Sequence, residues 1–134
     1  VIVSRKVTLK SIITDDFKKR FAAQVKDMVS EVKVELDKIK NSEQQLMLKS
    51  GNMDYNQLMQ VRGQIEKEKS SRETTIKELE SRVDQVNKMN EGDVFNQGLL
   101  DGFVEIKVGD NLDTKIAGAE IVVKDGIVQS VAEG

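Results

Sequence analysis

Apolar and polar residues alternate from Val3 to Ile13, with Val3, Val7, Leu9 and Ile13 on one side, and this period of two predicts a strand. Thr14-Asp15-Asp16 then supplies a hydroxyl and two carboxylates. The unpaired N–H groups at a helix start favour oxygen and negative charge, so a helix is expected from Asp15. Beyond it Phe21, Val25, Met28, Val32, Leu36 and Ile39, continued through Glu43 to Leu46, recur every three or four residues, the period of one helical face. Ser50-Gly51-Asn52 interrupts the pattern, and Asp54 and Gln57 have the spacing of a capping box. Leu58, Val61, Ile65, Ile76, Leu79, Val83 and Val86 then form a second stripe that ends near Asn90 and Gly92. Two long helices joined by a turn near 50–54 are the prediction.

Folding the chain back about Gly51 and Asn52 places Ile39 by Ile65, Val25 by Leu79 and Phe21 by Val83, so the apolar positions meet level by level. Each stripe contains a four-residue step at a similar height, Val32 to Leu36 and Arg72 to Ile76, which suits an antiparallel coiled-coil hairpin. The second stripe is polar at Glu68 and Arg72, and Arg72 comes within reach of Glu35. At ~1.5 Å rise per residue the helices are on the order of 50 Å long.

After Gly92 the period returns to two. Residues 94–100, then Val104 to Val108, Glu120 to Lys124 and Ile127 to Val131 read as strands, with a turn at Val108-Gly109-Asp110-Asn111. Asp125-Gly126 between β-branched runs is a strong hairpin signal, because a type I′ turn needs positive φ at both central residues. A lone N-terminal strand needs partners, so it is expected to join the C-terminal strands. The fold class is therefore α+β: a helical hairpin arm over 15–91, inserted in a small β-sheet or barrel built from 1–14 and 92–134. Leu99-Leu100 and Ile121-Val122-Val123 present apolar groups to both faces of their strands, and barrel closure, the base of the arm or another chain would cover the second face. A homo-oligomer is thus one of the expected arrangements.

Composition narrows the chemistry. The 134 residues contain no His and no Cys, which removes imidazole and thiolate nucleophiles, bases and metal ligands together with disulfides. Apolar residues make up 38%, below the usual ~45–50%, and charged residues 33%, above the usual ~25%, a balance that fits thin helical seams better than a large core. Proline is absent, as uninterrupted helices require. The net charge of −2 gives no general pull toward nucleic acid or anionic membrane. Its distribution is uneven: residues 1–14 carry Arg5, Lys6 and Lys10 and no acid, whereas residues 92–134 carry 3 bases and 8 acids. No apolar run approaches the ~18 residues of a membrane span, so a soluble, cytoplasmic chain without membrane partners is expected. Position 1 is Val, which leaves room for native residues before it.

Candidate sites are few. Asp93, Asp101, Asp110, Asp113 and Asp125 could serve metal or acid–base chemistry, but each neighbours turn-forming residues where Asp is favoured for its backbone hydrogen bonds. No phosphate-cradling glycine motif is present, and no catalytic, cofactor or metal residue is assigned. Met47, Met53, Tyr55 and Met59 flank the expected turn, where adaptable thioethers would suit a protein partner. Arg5, Lys6, Lys18, Lys19 and Arg20, with Lys10, are the candidates for phosphate contact.

The order of parts resembles the YlqD family of small bacterial proteins, as does the tail Val104-Glu105-Ile106-Lys107-Val108-Gly109-Asp110-Asn111-Leu112 with Ala119-Glu120-Ile121-Val122-Val123-Lys124-Asp125-Gly126-Ile127-Val128. The likeness spans nearly the whole chain and implies a bacterial, cytoplasmic protein without an established activity. The genes of that family often lie near those for ribosome maturation and tRNA modification. The resemblance carries over no functional residues. Transcript-cleavage factors share the arm-bearing plan but need clustered acids at the tip, where this chain has Asp54 alone. The leading expectation is a non-catalytic interaction protein, an accessory factor of translation or ribosome assembly. The alternative is an RNA-binding accessory module using the basic residues near the base of the arm, and an enzyme ranks third.

Overall fold

The computed structural model describes residues 1–133. The elements are β1 (Ile2–Ile12), α1 (Asp15–Lys49), a 3-10 turn (Ser50–Asn52), α2 (Tyr55–Lys88), β2 (Val94–Glu105), α3 (Leu112–Ile116), β3 (Ala119–Lys124) and β4 (Ile127–Glu133). The chain is α+β, with a helical hairpin lying in sequence between the first strand and the other three. It divides into two compact units, one formed by Val1–Arg20 with the chain from Val86 onward, the other by Phe21–Gln85.

In the β unit the strand order is β2-β1-β3-β4. β1 pairs antiparallel with β2 and parallel with β3, and β3 pairs antiparallel with β4. β2 and β4 therefore end the sheet, which is open; the barrel alternative is overturned because these two edges do not meet. β2 is one strand of 12 residues where two shorter segments were expected. It follows β1 along its whole length, and the single irregularity makes Gln97 an extra residue in the register, with Leu9 opposite Gly98 and Lys10 opposite Asn96, while the Gln97 side chain accepts from Ser11 Oγ at 2.6 Å. Gly98 takes a φ of 141° there, which a side chain would resist. Asp101-Gly102 lies within this strand and makes no turn. Gly102 faces Arg5 across the ladder, and a Cβ on it would meet Val7 Cγ2 at 2.9 Å, so the missing side chain is what lets Val7 lie flat and buried.

The β unit is closed at one end by Ile13, Phe17, Val86 and Phe95, all buried, with Ile13 and Val86 wholly so. Phe17 and Phe95 meet at 6.2 Å between centroids with rings tilted by 54°. Thr14 Oγ1 accepts from Phe17 N at 3.0 Å, the expected N-cap, and donates to Asp125 Oδ1 at 2.6 Å. Asp125 and Gly126 have φ of 48° and 83°, the turn their sequence calls for. The short α3 was not foreseen; Asn111 starts it, its side chain accepting from Thr114 N.

In the helical unit the buried stripe of α1 runs Phe21, Val25, Val29, Val32, Leu36, Ile39, Glu43 and Leu46, while Met28 is exposed. Val29 replaces Met28 on the seam, and with it the steps from Val25 onward alternate between four and three. The irregularity expected at Val32 to Leu36 therefore disappears into a regular 3.5-residue repeat. In α2 the matching positions are Leu58, Arg62, Ile65, Lys69, Arg72, Ile76, Leu79 and Val83, so Arg62 and Lys69 occupy seam positions that the apolar pattern did not assign. Their stems cover apolar surface while their heads reach partners. Arg72 Nε donates to Glu35 at 3.3 Å, as the spacing suggested. Lys69 reaches Glu43 at 2.9 Å and Arg62 contacts the Met47 sulfur. Val25 lines one groove with Val83, and Glu43 lines another with Ile65. These pairs lie about one turn of helix from the expected ones, in which Val25 faced Leu79 and Ile39 faced Ile65.

Candidate interaction surfaces

At the turn, the last residues of α1 and the first of α2 expose apolar side chains. Met47 and Met59 are about half exposed, Tyr55 is 70% exposed and Leu48 is 87% exposed; Met53 is half-buried, its N–H donating to Ser50 O at 3.2 Å. Met47, Tyr55 and Met59 thus present surface, whereas Met53 contributes less. Leu48 was missed because it lies off the helical stripe, and that position off the stripe was itself the available signal.

The basic candidates are mostly engaged within the β unit. Arg5 is buried except for 9% of its side chain; Nη1 donates to Lys115 O at 3.3 Å, Nη2 meets Glu133 at 3.4 Å, and Nε is buried without a hydrogen-bond partner. Lys6 pairs with Asp101, and Lys10 with Glu120 at 2.9 Å. Lys18 donates to the carbonyls of Asn87 and Met89 at 3.3 and 2.7 Å, closing the C-terminal end of α2. Arg20 bridges Asp16 at 2.7 Å and Asp125 at 3.4 Å. Lys19 stands exposed. The sequence signal for these internal partners was the acidic excess of the C-terminal region.

The carboxylates that drew attention for chemistry are spread out. Asp93 accepts from Asn90 N and Asp110 from Lys107 N, both at 2.8 Å, as turn residues do. Asp101 and Asp125 serve the pairs just described, and Asp113 lies in the first turn of α3. Among the described residues no group of three or more Asp or Glu is placed to hold a metal ion. A groove of about 470 Å³ in the helical unit has Val25, Val29 and Val83 on its floor, Lys26 and Lys33 on one wall, and Glu80 and Asp84 on the other. Its opposite walls hold charges of opposite sign, and the Ser30 hydroxyl that also lines it donates to the Lys26 carbonyl at 3.0 Å.

The sheet is the other apolar surface. Register puts Val3, Val7 and Leu9 on one face with Leu100, Val104, Ile121, Val123, Val128 and Val131. Val7 is buried there, whereas Leu100, Val128 and Val131 stand about half exposed. The opposite face holds the Lys6–Asp101 and Lys10–Glu120 pairs together with exposed Ile2, Leu99 and Phe103. Among the described residues, no helix is long and apolar enough to cross a membrane.

A mixed four-stranded sheet with a helical hairpin between β1 and β2 in sequence is the architecture, and a solved structure shares it. The chain belongs to the YlqD family, whose model, described as "YlqD protein", matches residues 1–132. It is also similar in fold to a crystal structure of a protein of unknown function from Synechococcus sp. WH 8102, at 23% identity and a TM-score of 0.80, over 99% of this chain and 95% of that one. No curated protein matches.

Proposed function

We propose that the protein is a non-catalytic, cytoplasmic bacterial accessory factor that binds a protein partner through the turn end of its helical hairpin. The observation that carries this reading is the exposure of Leu48 and Tyr55 beside Met47 and Met59, four adaptable or amphipathic side chains at the end of a helix pair. Although Met47 also touches Arg62 on the seam, the exposed apolar surface of these side chains is suited to shedding water against a partner. The engagement of Arg5, Lys6, Lys10, Lys18 and Arg20 with internal acids and carbonyls favours protein over nucleic acid as that partner. The link to translation or ribosome maturation rests on the family resemblance. Affinity capture from nuclease-treated bacterial lysate, comparing the wild-type chain with Leu48→Glu/Tyr55→Ala, tests the reading. Proteins retained by the first and lost by the second are expected. Capture that is unchanged by the substitution, or that nuclease and moderate salt abolish, contradicts it and favours RNA.

A further inference from the structure

β4 is an edge strand, and all seven of its residues, Ile127–Glu133, are exposed. From Ile127 to Ala132 it carries no charge and no proline, the usual guards of an open edge. The other edge, β2, carries Asp101 and Glu105 and the irregularity at Gln97.

β4 also has an irregularity, and its position matters. Val122 pairs with Ser130 but Val123 pairs with Val128, leaving Gln129 as an extra residue. In a regular strand Val128 and Val131, three positions apart, would point to opposite faces. Here the extra residue returns both to the face shared with Ile121 and Val123, where they are 55% and 60% exposed. Ile127 and Ala132 both lie on the other face by the same register. The strand therefore has nearly the same pattern read in either direction about the midpoint between Gln129 and Ser130.

We infer that the β4 edge is the site where a second copy of this chain docks, its β4 running antiparallel to the first about a two-fold axis between Gln129 and Ser130. In that register Val128 faces the second copy's Val131 and Val131 faces the second copy's Val128, all four on one face. Ile127 meets the second copy's Ala132 on the other. Glu133, the one charged residue of the strand, is already paired with Arg5 of its own chain, so no unpaired like charges meet. A heterologous strand would need only an apolar pattern on one face; the palindromic pattern is specific to self-pairing, which is isologous by symmetry. The pairing joins two four-stranded sheets and lines up Ile121 and Val131 with the second copy's Val128 and Val123 in one aliphatic row, with the symmetry-related row beside it. It uses residues outside the hairpin and stands independently of the partner-binding reading.

The chain has no cysteine, so the register can be read by disulfide capture on the intact protein. Val128→Cys/Val131→Cys places cysteines opposite one another in the dimer, with Cα atoms roughly 5 Å apart, within disulfide reach. Within one chain the two positions are separated by roughly 10 Å of strand, too far to close. A covalent dimer is expected on mild oxidation of the double variant and little from either single variant. Sedimentation of the wild-type chain should show dimer growing with concentration. Val131→Lys should weaken association by about tenfold or more with an unchanged circular dichroism spectrum, and Leu99→Lys on the sheet's other edge strand should leave it as it is. A wild-type chain that stays monomeric to about millimolar concentration overturns the inference. So does a dimer that Val131→Lys leaves intact, or one that fails to cross-link through the double variant.

Discussion

The Lys69 ammonium lies 2.9 Å from the Glu43 carboxylate on the facing helix and 3.2 Å from Glu66 on its own, at a position where the repeat calls for an apolar side chain. A charge on a helical seam fixes which residues face each other but gives up apolar packing. Glu43→Leu with Lys69→Leu should therefore raise the thermal midpoint of the hairpin by several degrees, whereas Glu43→Leu alone should lower it by leaving the ammonium short of an acceptor. Thermal melts followed by circular dichroism on the three chains check this ordering.

The same pair sets a pH dependence. Hydrogen bonds that Lys69 donates, to Glu43 first and then to Glu66, raise its pKa above the ordinary value of 10.5. A group whose folded pKa is raised contributes stability that is complete below the unfolded value and is lost as pH rises through the folded one. The midpoint should hold steady from neutrality to about pH 10 and then fall more steeply in the wild-type chain than in Lys69→Met, as melts at stepped pH would record.

Packing along the hairpin is graded. Phe21, Val25, Val29 and Leu36 are buried in the half away from the turn, the half in which α2 carries the aliphatic positions Ile76, Leu79 and Val83. Toward the turn the stripe admits Glu43, Arg62, Lys69 and Arg72, and no side chain there is fully buried. Local opening follows apolar burial, so hydrogen exchange should be faster for amides of Leu58 to Arg72 than for those of Ile76 to Val83. Uniform protection along α2 would contradict it.

Thr14 couples the start of α1 to the β3–β4 turn by accepting from Phe17 N while donating to Asp125. Thr14→Ala should cost about 1–2 kcal/mol, from the lost cap and from the buried N–H left without its acceptor. Thr14→Ser should recover most of it. Denaturant melts of the three chains decide the point.

Much of the architecture was legible because local chemistry and fold agreed. Thr14 marked the helix start, Asp125-Gly126 marked a hairpin, and the absence of proline allowed the long helices. The sequence was less clear where an apolar count misleads. Met28 looked like a seam residue because it is apolar, but the repeat selects Val29 one position on; Arg62 and Lys69 were passed over because their charged heads hide the apolar stems that lie on the seam. β2 was divided at Asp101-Gly102, since glycine in a strand reads as a turn until the close approach of Val7 is seen. The basic residues were legible as a charge asymmetry, while their internal partners, such as Glu133 for Arg5 and Asp101 for Lys6, depend on pairing between distant strands.

The central claim, that the turn end of the hairpin contacts a protein, is tested most directly by a photo-crosslinking side chain placed at Tyr55, with a control at exposed Lys33 on the shaft of α1. Irradiation in living bacteria should give a discrete protein adduct from position 55 that is absent from position 33. Equal labelling from the two positions, or adducts from position 55 that nuclease removes, would contradict the claim.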